Sequence, residues 1–353
     1  MRRKRKFYRG VVNHVYQRTV NWVNIFYCYE DFLVFYTIFS VCAKSADVVI
    51  LEMCLMYDHT HFLIRAETLK ILSAFVDRFS AWFVHEFNNS IGRKGKLLHK
   101  NFGSAPKWGE KAIRSAINYV GNNPTEKNLC SNVKDYRWNF LPYAVSDHPF
   151  SEKIILSKAS LPLRKALKEV DQMASLNLPL KYIHLRRMMK KLSEKETEQF
   201  VDHVIKIYLP FDYEELISYY GSYDNMITAM NSNTGSEHDI REARDRFSHK
   251  VISDILEEIG RQMPRTEIRR LIMLPEEKKR EISEKDIADF VLDICKGMAV
   301  AVTNTGQFLF LYSKEDTVSF PKNTYDIKWA DDNKTLILLF DKKQYVVNFP
   351  SIM

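Results

Sequence analysis

The sequence predicts an α+β fold: an antiparallel sheet carrying helices, followed by an all-helical region and a small β appendage. Three observations predict it. Val48 to Met56 is a nearly continuous apolar run, and a second strand-like run follows at once through the short polar link Tyr57-Asp58, as in a hairpin. Stretches with helical apolar spacing lie on both sides of that pair. Beyond Ser151 the texture changes to helices alone, and from about Val300 it changes again to short β-type runs.

In chain order, Val11 to Arg18 suits a first strand, and Glu30-Asp31 opens a helix whose apolar residues Phe32, Phe35, Tyr36 and Phe39 recur at helical spacing. The hairpin of Val48–Met56 and Thr60–Ala66 follows, then an amphipathic helix from Leu69 to Phe87. Ile91 to Ser104, rich in Gly and Lys, reads as a basic loop, and Lys111 to Asn122 as a further helix ended by Pro124. Ser193-Glu-Lys-Glu196 is a capping-box signature ahead of the apolar stripe Phe200, Val204, Ile207. Val300–Val302, Phe308–Tyr312, Leu336–Phe340 and Tyr345–Phe349 are the β-type runs of the appendage. The expected domains are residues 1–145, 146–297 and 298–353.

Composition narrows the function classes. With 353 residues, 46% hydrophobic, and only 11 Gly and 11 Pro, the chain is long enough for two or three cores and is neither collagenous nor broadly disordered. A net charge of +8 favours a polyanionic partner. No uninterrupted apolar stretch is long enough for a membrane span, because Asn24, Glu30 and Asp31 break the aromatic run from Trp22 to Phe39. The basic start Arg2-Arg-Lys-Arg-Lys6 lacks a following apolar segment, so the expectation is a cytoplasmic protein with no membrane partner. Cys28, Cys42, Cys54, Cys130 and Cys295 are scattered, with no Cys-x-x-Cys, and read as core thiols.

Three features carry chemistry. In Met56-Tyr-Asp-His-Thr-His-Phe-Leu-Ile64, strand alternation points His59 and His61 the same way, able to share a divalent cation, with Thr60 and Phe62 on the other face. Taken alone, the pair is better described as two polar strand residues. In Ala116-Ile-Asn-Tyr-Val-Gly-Asn-Asn-Pro124, Tyr119 and Asn123 lie one helical turn apart, so a nucleophilic phenol and a neutral oxygen ligand project from one face. Alone, a tyrosine among Ile113, Ile117 and Val120 reads as core. In Gly92-Arg-Lys-Gly-Lys-Leu-Leu-His-Lys100, the residues Arg93, Lys94, Lys96 and Lys100 suit phosphates, with Phe102 or Trp108 to stack on unpaired bases; a solvated loop fits equally. Lys181, Arg186, Arg187, Lys190 and Lys191 in the helical region, and the N-terminal basic run, leave the same choice open.

The three features occur in an order that resembles the single-tyrosine HUH (IS200-like) transposases, especially the REP-associated tyrosine transposase branch. The resemblance spans about Tyr8 to Tyr143: a strand similar to Asn13-His-Val-Tyr-Gln-Arg-Thr-Val-Asn21, the pair Ile25-Phe26, the acidic helix start Glu30-Asp31, and the signature strand Cys54-Leu-Met-Tyr-Asp-His-Thr-His-Phe-Leu63. It continues with Gly95-Lys-Leu97 and Phe102, the helix end Tyr119 to Pro124, and the closing Tyr136-Arg-Trp138. The resemblance implies an RNA-recognition-like sheet (the HUH endonuclease fold), with His59, His61 and Asn123 holding Mg2+ or Mn2+ and Tyr119 as nucleophile. It implies cleavage and rejoining of single-stranded or hairpin-forming DNA through a 5′-phosphotyrosine, by a monomer or a homodimer. Thr60 departs from the usual bulky apolar residue between the histidines, and Tyr57 from a frequent proline. The rival expectations are a DNA- or RNA-binding protein in which cleavage is lost or incidental, and a metal hydrolase, which would leave the Tyr119 and Asn123 spacing unexplained.

Overall fold

The computed structural model describes residues 6–20, 23–99, 101–232, 249–250, 252–253, 256–257 and 269, together with five strands between 298 and 348. The chain divides into two compact units, Met1–Arg270 and Leu271–Met353.

The first unit is built on a four-stranded antiparallel sheet of order β2-β3-β1-β4, formed by β1 (Val12–Arg18), β2 (Val48–Leu55), β3 (His59–Ala66) and β4 (Gly103–Pro106). The sequence expectation has no counterpart of β4, which begins at the end of the expected basic loop and runs two residues past it. Gly103-Ser-Ala-Pro106 has no branched or aromatic residue to signal a strand, and as a short edge strand containing proline it is held by pairing with β1 rather than by its own propensity.

Helices α1 (Tyr29–Lys44) and α2 (Leu69–Ile91) cover one face. Phe62, on the centre of β3, packs against Phe35 and Phe39 of α1 and Phe79 of α2, with ring centroids 5.0 to 6.3 Å apart. Burying so many aromatic rings in one layer supplies most of the driving force that holds the helices on the sheet. At the start of α1, the Asp31 carboxylate accepts from the backbone N–H groups of Tyr27 and Cys28, satisfying donors that a helix leaves open. Thr68 caps α2, and Gly92, at φ 74°, ends it in the left-handed conformation.

On the opposite face lies α3 (Gly109–Glu126). Here the expected stop at Pro124 is corrected, because the helix runs through it. A proline in the final turn forfeits a single backbone hydrogen bond, and the carbonyls of Asn123 and Pro124 still accept from Lys127 and Leu129. Asn123 therefore stays in helical register with Tyr119.

Helices α4 (Leu161–Ser175), α5 (Tyr182–Met189), α6 (Glu194–Ile207), α7 (Tyr213–Ser218) and α8 (Tyr223–Asn231) complete the described part of this unit. Ser193 and Glu196 form the expected capping box of α6. These helices are fastened to the sheet layer: the Asp212 N–H donates to Ile50 O, Tyr36 donates to Ile205 O, and Arg137 pairs with Glu198 and Asp202. No described helix is long and apolar enough to cross a membrane.

The second unit contains a two-stranded antiparallel sheet of β5 (Met298–Val302) and β6 (Phe308–Tyr312). It also holds a three-stranded one of β7 (Asp326–Trp329), β8 (Thr335–Phe340) and β9 (Lys343–Asn348). The sequence reading found four of these runs and missed β7, whose Asp326-Ile-Lys-Trp329 is short and half charged.

Candidate functional site

The site forms where β1 and β3 present alternate residues to the face under α3. The register sets Tyr16 opposite His61, Arg18 opposite His59 and His14 opposite Leu63, so His14, Tyr16, Arg18, His59 and His61 share one face. Thr60 and Phe62 point the other way, and Phe62 enters the aromatic core described above. His59 and His61 are 1% and 0% exposed.

His61 is the hub. Its Nδ1 lies 3.0 Å from His14 Nε2, and its Nε2 lies 3.4 Å from the Asn123 amide nitrogen. The Tyr119 ring stands edge-on to both His61 and His14, with centroids 5.6 Å away in each case. The Asn123 Oδ1 is buried and finds no hydrogen-bond partner among the described residues. Two ligands each about 2.1 Å from one cation, at right angles, stand about 3 Å apart. An orphaned amide oxygen beside an imidazole nitrogen is thus a donor set that a small divalent cation fits, and rotating the amide exchanges its oxygen and nitrogen positions.

A second group adjoins His59. The Asp58 carboxylate meets His59 Nδ1 at 2.6 Å through Oδ1 and Arg18 at 3.2 Å through Oδ2. Arg18 also donates through Nε to the Tyr16 hydroxyl. Burial alone would raise the Asp58 carboxyl; the hydrogen bond with His59 and the charges of His59, Arg18 and His249 outweigh it and hold it below its ordinary value. Asp58 is thereby an ionised acceptor that fixes the orientation of the His59 ring. His249, from far along the chain, brings its Nε2 to 3.4 Å from the same Asp58 oxygen and stacks against Tyr57.

The basic loop runs beside the histidine end of the sheet, since His99 N–H donates to Arg18 O and Val20 N–H to Leu97 O. Lys94 and Lys96 are exposed, whereas Arg93 is turned inward, donating to Asn88 Oδ1 and to the carbonyls of Gly95 and Lys96. Lys100 lies outside the described residues. Phe102 is buried, while Trp108 is 59% exposed and meets Tyr8 edge-on. In the helical region, Lys181 pairs with Glu86 and Arg187 with Glu169.

Sequence reasoning singled out His59, His61, Tyr119 and Asn123, and the structure brings His61, Tyr119 and Asn123 together with His59 alongside. It missed His14, Tyr16, Arg18, Asp58 and His249. The alternation His14-x-Tyr16-x-Arg18 was a readable signal, and Asp58 abuts the motif; nothing in the sequence points to His249.

Residues 14–123 match the family described as Transposase IS200 like, which bears out the recognition made from the motifs. No curated protein is similar enough to count as a relative. A solved structure, described as the structure of the REP associates tyrosine transposase bound to a REP hairpin, is 16% identical. The likeness covers 41% of this chain and 86% of that one at a TM-score of 0.35.

Proposed function

We propose that this protein, whose residues 14–123 form an IS200-like transposase domain, nicks and rejoins single-stranded or hairpin-forming DNA through Tyr119. The observation that carries this reading is the convergence, within one chain, of the Tyr119 ring, His61 and the orphaned amide oxygen of Asn123, with His59 beside them.

His59, His61 and Asn123 would hold Mg2+ or Mn2+. When bound, the cation withdraws charge from a phosphodiester and eases departure of the 3′ oxygen. A protonated phenol such as that of Tyr119 is a weak nucleophile on its own. Its oxygen attacks phosphorus, the bond to the 3′ oxygen breaks, and a 5′-phosphotyrosine and a free 3′ hydroxyl result. The phosphotyrosine keeps the ester, so a second 3′ hydroxyl can reverse the step and join strands without a nucleotide cofactor. Asp58 orients His59, and His14 orients His61, so both rings are positioned before substrate arrives.

An unpaired strand is favoured as substrate. A cavity of about 370 Å³ beside Tyr57 is lined by Tyr27, Tyr29 and Trp138, residues of the aromatic type on which unpaired bases stack. Lys94 and Lys96 belong to the basic loop tied to the histidine end of the sheet, and the helices beyond residue 145 would grip the flank of a hairpin. Such a protein would work in the cytoplasm at the nucleoid, as a monomer or homodimer.

One observation favours the second reading, a DNA- or RNA-binding protein without routine cleavage: Tyr119 retains only 9% of its surface, and His14, His59 and His61 retain 1% or less. Cleavage therefore requires side chains over the site to move when a strand binds. The two readings separate in one assay. With hairpin oligonucleotides and Mn2+, the nickase forms a protein–DNA adduct that Tyr119→Phe abolishes. If the wild type binds the hairpin yet forms no adduct, the binding reading replaces it.

A further inference from the structure

We infer that Asp58, His59 and His249 form a binding site for one first-row transition-metal dication such as Zn2+, distinct from the centre at His61 and Asn123. The donor set is one carboxylate and two imidazoles, drawn from the turn before β3, from β3 itself and from a position 190 residues beyond His59. All three are buried, at 5%, 1% and 2% exposure, and their nearest ligand atoms lie within 4.8 Å of one another.

Distances to the shared oxygen are the strongest support. Asp58 Oδ1 is 2.6 Å from His59 Nδ1 and 3.4 Å from His249 Nε2. Ligands held about 2.0–2.2 Å from one tetrahedral cation are separated by about 3.3–3.6 Å, and by about 3 Å at right angles, so small shifts close this set around an ion. The rings of His59 and His249 are nearly perpendicular, at 82°, with centroids 5.3 Å apart. Arg18 holds the second oxygen of Asp58, which leaves Oδ1 aimed toward both imidazoles. The His249 ring is itself braced by stacking on Tyr57 at 16°.

Two imidazoles and a carboxylate suit zinc, manganese or ferrous iron far better than magnesium, which prefers oxygen ligands. His59 is common to this site and to the proposed nicking centre, so the inference shares that residue with the reading above. A neutral imidazole has a single lone pair. An ion bound through His59 Nδ1 therefore leaves Nε2 carrying the proton and unable to bind a second ion, and the two positions exclude each other at His59. The protein would hold its metal in one of two places, only one of them beside Tyr119.

The test is metal binding by the full chain without DNA, titrating Zn2+ and, separately, Mn2+ by calorimetry, with folding of each variant checked by circular dichroism. The expected result is that His249→Ala weakens Zn2+ binding by about tenfold or more, His249→Asp restores part of it, and His61→Ala leaves it within about twofold. Zn2+ binding that is absent from the wild type, or unchanged in a folded His249→Ala, overturns the inference. The nicking reading is judged apart, by adduct formation: loss of the adduct in Tyr119→Phe with Zn2+ binding indifferent to His249 keeps that reading and removes this one. Binding that depends on His249 in a protein forming no adduct does the reverse.

Discussion

Glu52 sits on the same sheet face as His61, two residues from Cys54, and both its carboxylate oxygens are buried with no hydrogen-bond partner among the described residues. Burial pushes this carboxyl well above its ordinary value, so it stays protonated in the folded protein over a pH range where the unfolded chain, with a value of about 4.3, ionises it. The folded state then binds more protons than the unfolded one, and stability falls as pH rises from about 4.3 toward the folded value. Glu52→Gln should accordingly raise stability at pH 8 and change it little at pH 4, as read from urea midpoints at the two values. Equal effects at both would contradict the account. Asp58 has the opposite sign: its depressed carboxyl stabilises the fold above its unfolded value and loses that contribution as pH falls through the folded one. Because Arg18 is buried beside it at 7% exposure, Asp58→Ala removes the carboxylate facing a buried guanidinium and should cost about 3 kcal/mol in the same experiment. At this scale the sequence showed the residue types of the site but not their partners. His59, His61, Tyr119 and Asn123 are legible because strand and helix periods fix which side chains share a face. Asp58 and His249 act through a contact that folding alone creates.

Strand β3 separates two kinds of side chain by a single alternation, and this is testable. Phe62, fully buried against Phe35, Phe39 and Phe79, belongs to packing, so Phe62→Ala should lower stability by about 3–5 kcal/mol. Thr60 points to the same side and reaches Gln17 O only at 3.5 Å. Thr60→Val should leave adduct formation intact while shifting stability modestly, and an adduct lost in a folded Thr60→Val would show that the far face of the strand matters to the chemistry. The long amphipathic helices and the buried hairpin were readable because burial patterns them over many residues. Strand β4 was not, since four residues of weak β propensity become a strand only when β1 supplies the pairing. The proline of α3 misled for a related reason: local chemistry argues for a stop, but one lost hydrogen bond in a final turn is outweighed by packing of the buried residues Ala116, Ile117 and Tyr119 to Pro124.

Across the whole molecule, a net charge of +8 and a basic loop beside the histidine face make affinity for a polyanion strongly salt-dependent. Each phosphate neutralised on an unpaired strand contributes a slope of about 0.7 to the fall of log affinity with log salt, so the double change Lys94→Gln with Lys96→Gln should flatten the slope by about 1.4. An unchanged slope would move the DNA path away from this loop. The most direct test of the central claim is mass spectrometry of the protein after incubation with a hairpin oligonucleotide and Mn2+. The account predicts a peptide containing Tyr119 that carries a 5′-linked nucleotide, lost when His61 is replaced by alanine. A nucleotide attached elsewhere, or none at all on a protein that demonstrably binds the hairpin, would contradict it.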